Sequence, residues 1–331
     1  MADPAGAQAH EHLARAGILH VQGVDDEGPP GPVEDGGACL AGHGDEFTQG
    51  ERRRARSYGA AMRVACAQIE PVLGDVAGNR ERTTAAIARA AEAGADLVVL
   101  PELVTSGYVF HHPDEARDTA EPLDGPSLEG WRAAAGRHGL LVAGGFCELG
   151  EDGVLYNSAA IVGAGGVLAH YRKVHLWDRE PEVFTPGTEP PPVIDTEHGR
   201  LGLMVCYDLE FPEWVRAAAL AGAELLCLPT NWPHEARPDG ERPMEVLRAM
   251  VSASTNRMFI AACDRSGMER DVNWVEGSVI AGPSGWPLAG PPTEPGPALR
   301  VADCDLAEAR DKSIGPRNDV HADRRPELYA G

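Results

Sequence analysis

Three segments of the sequence end an apolar run in a side chain that can take part in acyl-transfer chemistry. The segment VVLPELVTSGY contains Glu102, LAHYRKVHLWDRE contains Lys173, and LGLMVCYDLEFPEW contains Cys206. A cysteine thiolate attacks a carbonyl carbon, a carboxylate can take the thiol proton, and an ammonium can stabilise the charge that develops on the carbonyl oxygen. Together, the three residue types predict cleavage of an amide through a thioester.

The position of the cysteine supports this interpretation. A cysteine between a strand and a helix is partly exposed and faces the positive end of the helix, which stabilises its thiolate. Pro212 marks such a helix start shortly after Cys206. Taken singly, Glu102 fits a helix cap, Lys173 a solvated charge and Cys206 a core thiol. Their shared position at strand ends favours a common site, because α/β sheets collect their sites there.

The same segments resemble the signature blocks of the nitrilase (carbon–nitrogen hydrolase) superfamily, in its aliphatic amidase or omega-amino amidase branch. The matching blocks are PEL at Glu102, YRKVHL at Lys173 and CYDLEFPE at Cys206, and the resemblance runs over residues 63–305. It implies an α/β fold of the four-layer α-β-β-α sandwich type and a Glu-Lys-Cys triad that needs no cofactor and no metal. It also implies a homodimer or larger even assembly, paired through the helices predicted at 212–221 and 242–256.

The resemblance implies a second glutamate, and the sequence offers candidates for the substrate pocket. The loop DREPEVFTPG offers Glu180 and Glu182 as a second glutamate that orients the lysine and the attacking water, and we favour Glu180, four residues before Phe184. The backbone N–H of Tyr207 is the expected second donor to the oxyanion. Four residues are predicted to contact the substrate: Tyr108, Tyr207, Asn231 and Trp232. Core filling remains an equally good interpretation of the tryptophan.

The predicted substrate is a small linear amide, aliphatic or with an omega-amino or guanidino group, which is cleaved to a carboxylic acid and ammonia. Asp178, Glu210 and Asp264 are candidates to attract a cationic end. Nitrilases of the family usually have Trp-Glu after the nucleophile, whereas Tyr207 and Asp208 stand here, which argues against nitriles. The alternatives are an N-carbamoyl amine amidohydrolase and a non-catalytic assembly protein, and the three reactive residue types argue against the second.

Alternation of strands and helices begins at Arg63. We predict a helix at 79–93 with Asn79 as its N-cap, a helix at 127–138, and strands at 63–69, 96–102, 140–147, 155–162, 166–171, 201–206, 259–262 and 278–281. Together with the resemblance, this pattern implies a carbon–nitrogen hydrolase domain at 62–305. Residues 1–61 lack periodicity and are expected to be a poorly ordered extension. Residues 306–331 are expected to form a C-terminal arm. The Pro- and Gly-rich tail after about Gly282 is expected to wrap over a neighbour.

Composition excludes several partners. The formal net charge of −22 disfavours nucleic acid and anionic membrane surfaces. No apolar run approaches the roughly 20 residues that span a bilayer. The seven cysteines are scattered and form no C-x-x-C pair, which indicates reduced thiols. We therefore expect a cytoplasmic enzyme.

Overall fold

Two six-stranded mixed sheets form the centre of the protein, for which a computed structural model describes residues 61–329. The strand orders are β14-β1-β2-β3-β4-β5 and β13-β12-β9-β8-β7-β6. The strands are β1 Met62–Gln68, β2 Leu97–Val99, β3 Leu141–Leu149, β4 Leu155–Gly163, β5 Gly166–Arg172, β6 Val193–Thr196, β7 Gly199–Leu203, β8 Leu225–Pro229, β9 Phe259–Cys263, β10 Met268–Glu269, β11 Val272–Asn273, β12 Val279–Ala281, β13 Pro287–Ala289, β14 Ala298–Cys304, β15 Ser313–Gly315 and β16 Asn318–Asp319. The helices are α1 Val76–Glu92, α2 Pro113–Arg117, α3 Pro126–His138, α4 Pro212–Leu220 and α5 Met244–Asn256.

The side chains of β1 show how the layers are built. Val64 and Cys66 belong to a buried core shared by the two sheets, whereas Ala65 and Ala67 belong to a second core shared with α1 and α3. Successive strand residues point to opposite faces, so a strand that is apolar on both faces is covered on both. Helices α4 and α5 pack on the other sheet through residues such as Val215. The predicted four-layer α-β-β-α sandwich is confirmed.

The first helix begins earlier than the sequence pattern indicated. Asp75 is the N-cap, and its side chain accepts a hydrogen bond from Gly78 N at 3.0 Å. Asn79 lies inside the helix instead, where its amide bonds both backbone groups of Val72 at 2.8 Å and the Thr105 carbonyl at 3.1 Å. The assignment of Asn79 as N-cap was therefore wrong, because its side chain ties the preceding loop to the helix.

The C-terminal part is more regular than expected. The stretch after Gly282 supplies β13 and β14, and β14 pairs antiparallel with β1 along its whole length. Leu306 is buried, Arg310 Nε donates to Glu224 Oε1 at 2.6 Å, and the Val320 carbonyl accepts from Arg216 at 3.3 Å. Residues 306–329 thus contact their own domain. The predicted extension at 1–61 lies outside the described residues except for position 61.

Candidate active site

The three reactive residues follow the carboxyl ends of three strands. Glu102 comes three residues after β2, Lys173 directly follows β5, and Cys206 comes three residues after β7. The strand predicted to reach Cys206 ends at Leu203, which leaves room for a turn at the cysteine. The backbone at Glu102 lies close to β3, where a Cβ on Gly145 would stand 2.6 Å from Glu102 Cα. Glycine there permits this approach.

Lys173 bridges two glutamates in the protein interior. Its Nζ donates to Glu102 Oε1 and to Glu180 Oε1, both at 2.7 Å, and the side chain is 0% exposed. Glu180 also accepts from the Tyr108 hydroxyl at 2.6 Å and from Trp177 N at 3.1 Å. A buried ammonium needs such pairing, because leaving it uncompensated is very costly. The structure thus brings Glu102, Lys173, Glu180 and Tyr108 into one network.

Burial and charge set the protonation of this network. Burial raises the pKa of Glu102, helped by the Glu180 charge and opposed by Lys173. Burial alone would lower the pKa of Lys173, but the charges of the two carboxylates have the larger effect and raise this pKa. Burial and the charge of Glu102 raise the pKa of the Cys206 thiol well above its usual range. Glu102 is therefore suited to act as a base, and Cys206 needs one.

Cys206 lies at a strained turn. Its φ is 45°, a left-handed value that is uncommon outside glycine, and it opens the 3-10 helix Cys206–Glu210. The thiol contacts the Asn231 carbonyl at 3.8 Å. The sequence pattern predicted that the following helix stabilises the thiolate. In the structure this short turn lies between Cys206 and α4, and the pKa of the thiol is raised. The expectation was wrong, because burial and the Glu102 charge dominate.

The residue two positions after the nucleophile anchors this turn. Asp208 is fully buried, and its carboxylate accepts hydrogen bonds from the Tyr171 hydroxyl at 2.8 Å and from Val205 N at 3.2 Å. The same carboxylate lies 2.7 Å from His175 Nδ1. Asp208 thus ties the nucleophile turn to the chain around Lys173. Its role in the described structure is to hold two site segments together.

The predicted pocket residues take different places. Tyr108 lines a cavity of about 300 Å³ that also borders Glu180, Trp177 and Trp274, whereas Glu102, Lys173 and Cys206 are not among its lining residues. Asn231 instead donates to the Glu102 carbonyl at 2.8 Å. Tyr207 and Trp232 are not among the residues that line this cavity. Tyr207 packs edge-on against Trp177 and Phe211, and Trp232 is 5% exposed and donates its backbone N–H to Asp264 Oδ1.

The three carboxylates considered for a cationic substrate also differ. Asp178 lines the cavity and is exposed. Glu210 pairs with Arg248 at 2.7 Å. Asp264 is buried and accepts backbone N–H groups, including that of Gly277 at 2.9 Å, while burial raises its pKa to about 7. Among these three, the cavity presents only Asp178 to a ligand.

The sequence pattern did not single out two buried polar residues of the site, Asn157 and Glu269. Asn157 in β4 donates its Nδ2 to Glu102 Oε1 at 2.7 Å. Glu269 accepts from Tyr108 N at 2.8 Å and Val109 N at 2.6 Å, and it pairs with buried Arg265 at 2.6 Å. The signal for Asn157 was a polar residue inside the apolar strand LYNSAAIVG, because such residues are buried only with partners.

The chain is similar to known proteins of one enzyme family. Residues 63–312 match the family model described as carbon-nitrogen hydrolase. A nitrilase from Pyrococcus abyssi is 34% identical over 270 residues, 81% of this chain and 99% of the relative. An N-carbamoylputrescine amidase from Solanum lycopersicum is 31% identical over 288 residues, 82% of this chain and 92% of the relative.

Solved structures agree as well. A variant of the amidase from Nesterenkonia sp. AN1, with one glutamate replaced by glutamine and acrylamide added to its active-site cysteine, is 32% identical to this chain with a TM-score of 0.68. The match covers 81% of this chain and 98% of that one. Another variant of that amidase is in complex with butyramide. Among the helices of residues 61–329, none combines the length and apolar character needed to cross a bilayer. The chain belongs to the carbon–nitrogen hydrolase family of the nitrilase superfamily and is an amidohydrolase acting on carbon–nitrogen bonds other than peptide bonds.

Proposed function

We propose that the protein hydrolyses a small linear amide to a carboxylic acid and ammonia, with Cys206 as nucleophile, Glu102 as base and then acid, and Lys173 and Glu180 as supporting charges. The observation that carries the proposal is the buried ammonium held at 2.7 Å by two carboxylates, within electrostatic reach of Cys206 on its strained turn. A structural core gains little from so many buried charges, because replacing them with apolar residues is often neutral or stabilising.

Acylation begins when Glu102 takes the proton from Cys206 Sγ and the sulfur bonds to the amide carbon. Lys173 Nζ and the Tyr207 backbone N–H stabilise the negative oxygen, and each such donor contributes about 3 to 4 kcal/mol. The carbon–nitrogen bond then breaks, and the proton on Glu102 passes to the departing nitrogen. Ammonia leaves, and a thioester on Cys206 remains.

Deacylation uses the same groups. Glu102 takes a proton from a water molecule, and the water oxygen attacks the thioester carbon. Glu180 holds Lys173 in place and orients this water. The carbon–sulfur bond breaks, the proton returns from Glu102 to Cys206 Sγ, and the acid is released. Only groups of the chain and water take part in these steps.

The cavity next to Glu180, which Cys206 itself does not line, offers an apolar place for an aliphatic part of the substrate. Tyr108, Trp177 and Trp274 present aromatic surface to it, and Asp178 offers one carboxylate for an amino or guanidino end. The butyramide complex of the Nesterenkonia amidase supports a short aliphatic amide. The relative named as an N-carbamoylputrescine amidase supports N-carbamoyl amines as the second candidate. Nitriles stand third, because Tyr207 and Asp208 replace the Trp-Glu pair usual in nitrilases.

The test is ammonia release from propionamide, butyramide, omega-amino amides, guanidinobutyramide, N-carbamoyl amines and short nitriles. We expect turnover of amides, loss of turnover in Cys206→Ala, and a covalent adduct on Cys206 when the wild type reacts with an alkylating amide. Cys304→Ala, which alters a buried free cysteine between the sheets, is the matched control. Full activity of Cys206→Ala would refute the proposal, whereas ammonia from carbamoyl amines alone would select the second candidate.

The surface around α4 and α5 supports a homodimer. Leu220, Met244 and Val251 are 45%, 56% and 59% exposed on these two helices. Exposed apolar groups of this kind mark contact surfaces when they lie together. The expected partner is a second copy, and light scattering of Val251→Lys beside the wild type tests this. A wild-type monomer at micromolar concentration would contradict it.

A cytoplasmic location is the accompanying proposal. The six cysteines of the described residues are all unbridged and buried, and the mechanism needs a free thiol. Reducing compartments maintain such thiols. Fractionation of cells that produce the tagged protein tests this, and recovery of the protein outside the cytoplasm would contradict it.

A further inference from the structure

Asn157 touches every charged member of the proposed site. It is 1% exposed in β4. Its Nδ2 donates to Glu102 Oε1 at 2.7 Å and stands 3.5 Å from Glu180 Oε1. Its backbone carbonyl accepts from Lys173 N at 2.8 Å. One strand residue thus fixes the relative positions of both glutamates and the lysine.

The two oxygens of the Glu102 carboxylate are not equivalent. Oε1 accepts from both Lys173 Nζ and Asn157 Nδ2. Oε2 is buried and has no hydrogen-bond partner among the residues that the structure describes. Two donors on one oxygen fix the plane of the carboxyl group, so that it cannot rotate to exchange the oxygens without losing both bonds. The lone pairs of Oε2 therefore remain available to a proton.

The orientation of the Asn157 amide follows from the charge around it. The opposite orientation would place its carbonyl oxygen 2.7 Å from a carboxylate oxygen, where no proton lies between them. Only the N–H group can face Glu102. A donor in this place favours the ionised carboxylate and counters the effects of burial and of Glu180. Asn157 thus contributes both to the orientation and to the ionisation of the base.

We propose that Asn157 is a positioning residue that holds Glu102 with Oε2 as the atom that takes the proton from Cys206. This inference rests on the proposed function, since it assigns Glu102 the role of base. Asn157 lies outside the triad and is distinct from the second glutamate, and Oε2 of Glu102 is the oxygen that carries the proton. Asn157 acts only through Glu102 and needs no contact with the substrate.

The experiment compares Asn157→Leu, which has a similar volume and no donor, with wild type and with Ser158→Ala. Ser158 is the next residue of β4, is equally buried, and donates to Glu148 on the other side of the strand. Two rates are measured across pH: amide turnover, and alkylation of Cys206 by iodoacetamide. In alkylation the sulfur displaces iodide and its proton leaves to the base, so this rate reports Glu102 without cleavage of an amide bond.

We expect Asn157→Leu to lower kcat by about 10- to 100-fold, with KM changed by less than about 3-fold, and to move the acidic limb of both profiles up by about one pH unit. Ser158→Ala should lower the melting temperature while both profiles stay in place. If Asn157→Leu does not fold, the same two rates are measured on Asn157→Ala, at a temperature below the melting temperature of that variant. Profiles that superimpose on wild type, or a loss of thermal stability alone, would overturn the inference.

The two proposals fail differently. Wild-type protein that is alkylated at Cys206 with a Glu102-dependent profile but releases no ammonia from any amide contradicts the proposed function and leaves the role of Asn157 standing. Wild-type protein that hydrolyses amides while Asn157→Leu keeps its profile contradicts only the role of Asn157.

Discussion

Glu180→Gln removes one of the two charges that hold Lys173 and keeps the length of the side chain. The glutamine carbonyl can still accept from Lys173 and from the Tyr108 hydroxyl. In the wild type, Trp177 N donates to Glu180 Oε2 at 3.1 Å. In the variant, the amide nitrogen of the glutamine faces Trp177 N and cannot accept this bond. Losing this bond in a buried place costs about 1 to 3 kcal/mol of folding stability. The larger consequence is a change in the pKa of Glu102, the base.

The charge effect can be worked out from the geometry. Both carboxylates touch Lys173 Nζ at 2.7 Å, so the two contacting oxygens are at most about 5.4 Å apart. Two like charges at that distance repel by about 3 kcal/mol at an effective dielectric constant of about 20. Burial and this repulsion raise the pKa of Glu102, so that removing the repulsion lowers that pKa.

The assay is the pH dependence of kcat/KM for amide hydrolysis from about pH 4 to about pH 9, which reports the essential groups of the free enzyme. We expect the acidic limb to move down by one to about two pH units and kcat to fall by about 10²-fold, because the orientation of the ammonium is lost. Glu182→Gln is the control, since Glu182 pairs with Arg179 on the surface at 2.7 Å. An acidic limb that stays in place or moves up, or an equal shift in the control, would refute the reasoning.

Three further predictions concern the lysine, an acid-sensitive ion cluster and the extension. Lys173→Met should reduce ammonia release by about 10²-fold and lower the melting temperature, because two buried carboxylates lose their shared cation; unchanged melting would contradict this. Burial opposes ionisation of Glu148, but His170, Arg172 and Ser158 outweigh it and lower its pKa from 4.5 to about 2. Its ionised form therefore contributes roughly 3 kcal/mol above about pH 4.5, which is lost as the pH falls through 2. Urea unfolding at several pH values should show wild type losing this advantage over Glu148→Gln, and a constant difference would contradict it. Deleting residues 1–61 should leave turnover and melting temperature nearly unchanged, and a large loss of either would show that the segment packs onto the domain.

The sequence determined the local features that depend on neighbours along the chain. Apolar strands and amphipathic helices from Met62 onward predicted an alternation of strands and helices, because hydrophobic periodicity reflects which face is covered, and the resemblance implied the four-layer sandwich. The blocks around Glu102, Lys173 and Cys206 pointed to the family and to amide hydrolysis, both of which are confirmed. The favoured choice of Glu180 over Glu182 also agrees with the geometry, and its catalytic role stays a prediction.

Tertiary structure decided what depends on distant partners. The spacing of residues could not show that Asn157 and Lys173 donate to the same oxygen of Glu102, because β4, β5 and the chain after β2 meet only in the folded sheet. It could not show that Asn79 bonds to a loop across the helix start. The raised thiol pKa of Cys206 likewise arises from burial and from a carboxylate about 100 residues away in the chain, since desolvation and charge act through space.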